Sequence, residues 1–169
     1  MGDDTPRKEY DVIVGEMPRM LIIHCDDPRF ASAIHEFIHE SVDEGGLGLA
    51  YGQYVEISLP GGVSGMSEQL TLPKHFKVQK EQIEFVLERF TSVKTVVLIN
   101  HEDCRAYQAL RERIGDSFLR RWGGIPDRQK ADLVGVGRFV QNLIPVECVY
   151  YYAKFANDEH TSTMFERVV

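Results

Sequence analysis

Two short clusters in this chain carry residue types that do chemistry together. The first is His24-Cys25-Asp26-Asp27-Pro28-Arg29 and the second is Asn100-His101-Glu102-Asp103-Cys104. Thiolate and imidazole are the donors that zinc accepts in tetrahedral geometry, and three protein ligands leave the fourth position open for catalysis. Cys25, His101 and Cys104 form such a set. Asp27 would either close it as an oxygen ligand or pair with Arg29, two residues on, and leave it open. A lone buried cysteine at a strand end is ordinary packing, and His-x-x-Cys alone says little. The joint pattern says more, because each cluster directly follows an apolar run. Cys148 offers no fourth ligand, since it lies inside an apolar run of its own.

The elements that must position these clusters are four apolar runs read as strands: residues 20–24 (MLIIH), 54–59 (YVEISL), 95–100 (TVVLIN) and 146–155 (VECVYYYAKF). They are short and rich in β-branched or aromatic residues. The first and third lack clean alternation, as strands covered on both faces do. Helical spacing links Phe30, Ala33, Ile34, Phe37, Ile38 and Val42, then Ile83, Val86, Leu87 and Phe90. A third helix is expected from near Cys104 to Ile114, stopping at Gly115. A fourth carries Leu133, Val136, Phe139, Val140 and Leu143 and stops before Pro145. Glycine-rich stretches at 45–48 and 61–65 read as loops. Strands alternating with helices predict a single α/β domain spanning 1–169, with residues 1–14 as an N-terminal arm. Its sheet is mostly parallel, four- to five-stranded, with helices on both faces. In such sheets ligands bind beyond the carboxyl ends of the strands. If the first and third strands are neighbours, both clusters face one crevice.

The bulk numbers narrow the function classes. A chain of 169 residues buries roughly 70% of its unfolded surface and needs no disulfides. The net charge is −7, from 19 basic and 26 acidic residues. No long basic cluster is present, which argues against nucleic acid or an anionic membrane as partner. No apolar run approaches a membrane span, and residues 1–10 are charged and polar, unlike a secretory signal. A cytoplasmic protein is expected, with its three cysteines free, metal-bound or catalytic.

The two clusters are similar to the signature motifs of the β-class carbonic anhydrases, Cys25-x-Asp27-x-Arg29 followed downstream by His101-x-x-Cys104. Gly15-Glu16-Met17-Pro18 resembles the family's Gly-Gln-x-Pro segment. Gly52-Gln53-Tyr54-Val55 through Gly61-Gly62 resembles its second strand and the loop after it. Ile83-Glu84-Phe85 resembles its Leu-Glu-Tyr helix, and Val149-Tyr150 its closing strand. The resemblance runs from about residue 15 to 155. It implies a zinc enzyme interconverting carbon dioxide and bicarbonate, assembled as a homodimer or higher oligomer with its active site near the subunit interface. Cys25, His101 and Cys104 would then hold zinc. Asp27 and Arg29 would form the dyad that orients the nucleophile, or gives up Asp27 to direct ligation in a closed state. Two thiolates offset the ion's charge, so activity is expected to rise toward alkaline pH.

The chain also departs from that pattern. Glu16 replaces a glutamine, and an ionised carboxylate there would repel bicarbonate. Arg105 follows Cys104 where glycine is usual. Ser58-Leu59-Pro60 replaces Arg-Asn-Ala, and residues 63–79 form a longer segment that suits a lid or partner surface. These departures keep two other readings open: a non-catalytic zinc-containing binding or regulatory protein, and a zinc hydrolase of another small substrate.

His35-Glu36-Phe37-Ile38-His39 matches the H-E-x-x-H metalloprotease pattern. The stripe Phe30, Ile34, Phe37, Ile38 faces the core, which leaves both histidines beside it on a solvated or interface edge. No Gly-x-x-His continuation follows and no third ligand stands out. His24 should point away from Cys25 into core or interface. His75 and His160 should be exposed, and Trp122 with Gly123-Gly124 reads as a loop or interface.

Overall fold

The computed structural model describes residues 11–67, 72–115 and 123–169. Residues 1–10 of the expected arm, part of the 63–79 segment and Trp122 lie outside the described residues. The elements are β1 (Met20–Cys25), α1 (Pro28–His39), β2 (Tyr54–Leu59), α2 (Ser64–Ser67), α3 (Pro73–Arg89), β3 (Thr95–His101), α4 (Arg105–Ile114), α5 (Ile125–Leu143), β4 (Glu147–Phe155) and β5 (Thr163–Val168). The sheet order is β2-β1-β3-β4-β5. The first four strands are parallel, and β5 runs antiparallel to β4.

The sheet is covered on both faces, and alternate residues of the same strands feed the two cores. Leu21, Ile23, Val96 and Leu98 pack with Ile83, Val86 and Leu87 of α3 and with Leu133, Val136 and Val140 of α5. Ile22, Val97 and Ile99 pack on the other face with Phe30, Ile34, Phe37 and Ile38 of α1. Burying a side chain of this size contributes about 1.5–3 kcal/mol, which is why these positions hold the layers together.

Three expectations need correction. β5 has no counterpart among the four apolar runs, and Cys148 therefore lies in the penultimate strand. Its sequence, TMFERV, places charges where an edge strand meets solvent: Glu166 pairs with Lys130 and Lys154 at 3.0 Å each. The 63–79 segment is not a lid in its described parts, because Val63 and Met66 are core residues and Pro73 already opens α3. Gly65 sits inside α2 rather than a loop. No described helix is long and apolar enough to cross a membrane.

Candidate metal centre

β1 and β3 are adjacent, in register from Met20 opposite Thr95. Their carboxyl ends therefore open onto one crevice. β1 delivers Cys25 as its last residue and β3 delivers His101 as its last. Cys104 arrives three residues later as the N-cap of α4. The ligand atoms of Cys25, His101 and Cys104 all lie within 4.8 Å of one another, and all three residues are buried. The two Sγ atoms are 3.8 Å apart. Among the described residues this is the only set of three or more His, Cys, Asp or Glu side chains whose donors converge in this way.

The histidine is prepared as a donor. Its Nδ1–H donates to the carbonyl of Glu102 at 2.7 Å. That fixes the tautomer and leaves the lone pair on Nε2. Nε2 is buried and has no hydrogen-bond partner, and Phe30 packs on the ring at 4.2 Å between centroids. A buried imidazole nitrogen without a partner is costly, and its closeness to two sulfurs marks a place where a cation fits. The thiols are tuned apart. Cys104 is lowered to about 7, first by the hydrogen bond from Cys25 and also by the amides of Ala106 and Tyr107 at the start of α4. Cys25 keeps the shared proton, raised first by its hydrogen bond to Cys104 and then by burial. The Gly61 amide also donates to the Cys25 sulfur, at 3.2 Å.

Asp27 and Arg29 flank this set as a bidentate pair. Arg29 Nε lies 3.0 Å from Asp27 Oδ1 and Nη2 lies 2.7 Å from Oδ2. Asp27 also N-caps α1 by accepting the Arg29 amide at 3.0 Å. The Arg29 side-chain hydrogen bond holds the Asp27 carboxyl down to about 2, so Asp27 is ionised throughout the neutral range. The pair leaves Asp27 engaged with Arg29 rather than with the three donors.

Some residues that build the site were given no role by the sequence, although Asn100 and Asp103 lie within the second cluster. Asp103 takes a left-handed backbone, φ +53°, which is uncommon for a residue with a Cβ. That conformation lets it hold the far side of Arg29: Nη1 donates to Asp103 Oδ2 at 2.8 Å and Nη2 to its carbonyl at 2.9 Å. Gln129 of α5 donates from Nε2 to the carbonyl of His101 at 2.8 Å. Its Oε1 accepts from the Tyr152 hydroxyl at 3.0 Å. Asn100 donates to the Gln129 carbonyl and to the Tyr107 hydroxyl, which donates in turn to Asp132. This buried network ties the end of β3 to α4 and α5.

The other flagged residues settle elsewhere. Glu16 touches Gly52 at the amino end of β2, a strand's length or roughly 20 Å from the cluster, so within one chain it does not reach the pocket. Arg105 does line it, with Cys25, Asp27 and Arg29. His24 stays out of the donor set: its Nδ1 bonds the Cys25 carbonyl at 2.7 Å and its Nε2 bonds Glu56 at 2.5 Å. His35 sits beside the same carboxylate at 3.4 Å. His39 is less solvated than its motif position suggests, with Nδ1 bonded to the carbonyl of Leu49 at 2.6 Å. That bond ties α1 to the following loop. His75 and His160 are exposed, and His160 stacks on Phe155.

Gly61 offers a direct test of the turn that supports Cys25. Its φ is +76°, and a Cβ there would lie 2.7 Å from the Cβ of Ala106 and clash with Ser64. Gly61→Ala should lower stability by about 2 kcal/mol, read as a reduced urea midpoint. An unchanged midpoint would refute the reading of that turn.

No protein-family model and no curated protein matches the sequence. Solved structures do. A carbonic anhydrase from Streptococcus mutans matches with a TM-score of 0.54 at 15% identity, over 96% of this chain and 88% of that one. A β-carbonic anhydrase from Aspergillus fumigatus matches at 0.53 and 16% identity, over 91% of this chain and 76% of that one. A β-carbonic anhydrase of Trichomonas vaginalis matches at 0.51 and 13% identity, over 96% and 88%. Sequence similarity at this level speaks for architecture alone. With its strand order and the placement of its clusters, the chain is a divergent protein of the β-carbonic-anhydrase fold.

Proposed function

We propose that this protein is a zinc-dependent lyase that hydrates carbon dioxide to bicarbonate, with Cys25, His101 and Cys104 as metal ligands and Asp27 and Arg29 as its catalytic pair. The observation that carries the reading is the unpartnered Nε2 of His101 facing two sulfurs, next to an ionised Asp27. Zinc fits this donor set: two thiolates at about 2.3 Å from a tetrahedral ion sit about 3.8 Å apart, which is the separation of the Cys25 and Cys104 sulfurs. Bound there, zinc would supply the Lewis acid that makes water nucleophilic near neutral pH.

The residues of the chain do the rest. Asp27, ionised and held by both Arg29 and its cap position, accepts a hydrogen bond from the attacking water and aims the oxygen lone pair at the carbon of carbon dioxide. Arg29 keeps Asp27 charged and fixed, and Asp103 keeps Arg29 in place. The new C–O bond forms bicarbonate, and the water's proton leaves to solvent. Arg105 at the pocket favours an anion, consistent with bicarbonate. It also supports the second reading, a zinc hydrolase of another small substrate or a non-catalytic zinc protein on the same fold. A homodimer or higher oligomer belongs to the proposal, and the exposed apolar side chains of Val12, Ile13, Val14 and Met17 support it.

Stopped-flow hydration assays on the zinc-loaded protein between pH 6.5 and 9 test the function. The rate should rise toward alkaline pH, because two thiolates make the ion a weaker acidifier of water than neutral ligands do. One zinc per chain with no hydration at any of these pH values would leave the metal centre and remove the activity.

A further inference from the structure

Behind the three metal-type donors lies a buried phenol. Tyr107 is 2% exposed, and it packs with Cys25 and Cys104. Its hydroxyl donates to Asp132 Oδ2 at 3.0 Å and accepts from Asn100 Nδ2 at 3.2 Å. Asp132 is 6% exposed and is held twice more, by Arg128 Nε at 2.6 Å and by Ser67 Oγ at 3.0 Å. A buried carboxylate is costly unless it is paired and fully bonded. Its three partners, on α4, α5 and α2, are therefore held firmly in place.

Tyr107 carries that rigidity toward each donor. Its own amide, with that of Ala106, donates to the Cys104 sulfur, so the seat of the side chain sets the position of that amide. Asn100 directly precedes His101 on β3 and also donates to the Gln129 carbonyl at 3.0 Å. On its other side Asn100 meets the turn under Cys25. A Cβ at Gly62 would lie 2.7 Å from Asn100 Oδ1, and the neighbouring Gly61 amide donates to the Cys25 sulfur. One hydroxyl thus stands between a fixed carboxylate and the supports of all three donors. A phenylalanine would fill the same core volume without making that link.

We propose that Tyr107, anchored by Asp132, is a positioning residue of the metal centre. Its hydroxyl locks the first turn of α4 against α5 and so holds the Cys104 sulfur at tetrahedral spacing from Cys25 and His101. It touches neither metal nor substrate. The inference rests on the metal assignment proposed above and not on the identity of the substrate. Donors fixed before the ion arrives lose less freedom on binding, and a centre that cannot spread keeps the low coordination number that zinc prefers. Tyr107→Phe removes the lock and spares the fold, because Asp132 keeps Arg128 and Ser67 and Asn100 keeps the Gln129 carbonyl.

Chelator competition with zinc and absorption titration with cobalt(II) test this on the purified protein. Zinc affinity of Tyr107→Phe should fall about tenfold, the lower end of what outer-shell partners contribute. Its cobalt spectrum should lose intensity, since tetrahedral cobalt absorbs more strongly than the water-expanded ion that a loosened centre admits. Ser67→Ala is the control for stability alone. It removes a hydrogen bond from the same carboxylate without touching α4. Its urea midpoint should fall about as far as that of Tyr107→Phe, with both metal readouts unchanged. Asp132→Asn leaves the hydroxyl a weaker acceptor and should lower zinc affinity about threefold. Because Asp132 acts through Tyr107, the double variant should bind zinc no more weakly than Tyr107→Phe alone.

Wild-type zinc affinity and an unchanged cobalt spectrum in Tyr107→Phe would overturn the positioning role and leave the metal centre standing. Metal loss in Ser67→Ala that matches its loss of stability would overturn it as well, as would independent losses that multiply in the double variant. A wild-type protein that binds neither ion would remove the metal assignment and this inference together.

Discussion

Replacing Cys104 by alanine should leave the protein folded and empty its metal centre. The side chain is small and packs against Cys25 and Tyr107 in a minor cluster apart from the two main cores, so the fold loses little. The centre loses one of three protein donors. Structural zinc sites bind with roughly 10–16 kcal/mol over four ligands, so one ligand is worth about 3–4 kcal/mol. That is two to three orders of magnitude in affinity. Elemental analysis should fall from one zinc per chain to a small fraction, and hydration should fall with it. Cys148→Ala is the control. Cys148 lies on β4, packed against the α5 side of the sheet, with its thiol directed to the Gly137 carbonyl at 3.5 Å, and this variant should keep both metal and activity. A Cys104→Ala protein that retains a full zinc would sink the assignment of the centre.

Asp27→Asn should give the opposite separation, with metal retained and turnover lost. Asparagine keeps the shape and still caps α1, but it carries no charge for Arg29 to hold and is a weaker acceptor. General-base and orienting groups of this kind contribute about 10²–10⁴ in rate, and a loss in that range is expected at unchanged zinc content. Asp103→Asn should cost less, on the order of tenfold, because it acts on Arg29 and only through it on Asp27. Its signature is a fall in kcat with Asp27 still ionised at neutral pH. Full activity in Asp27→Asn would show that the pair beside the centre is no more than an N-cap and a surface salt bridge.

Much of the fold was legible because its signals are local. All four parallel strands are short apolar runs in the sequence, two of them, β1 and β3, without the alternation of a one-sided strand because both their faces are buried, and the helix from Arg105 to Ile114 ends at Gly115 as its spacing predicts. The donor set was also legible, since Cys25 and His101 follow such runs directly. β5 was not. An edge strand exposes half its residues, and Glu166 and Arg167 in TMFERV hide its alternation among charges. Helices α3 and α5 begin up to ten residues earlier than their apolar stripes suggested. Their first turns carry proline at N1 or N2, a start signal that an apolar periodicity does not contain.

The sequence by itself determined which residue types were available and in what order: two thiols, an imidazole and an Asp-Arg pair, each placed at the end of an apolar run or just beyond it. Only the tertiary structure decided that β1 and β3 are neighbours, which turns two distant clusters into one site with its donors within 4.8 Å. It also decided that Asp27 faces Arg29 rather than the donors, that Asp103 bends into a left-handed turn to hold Arg29, and that Glu16 lies at the far end of the sheet. The physical reason is one of range. Burial, periodicity and capping are written within a few residues of themselves, whereas strand order and side-chain partnership depend on contacts between segments about 75 residues apart, and no local pattern encodes which segments will meet.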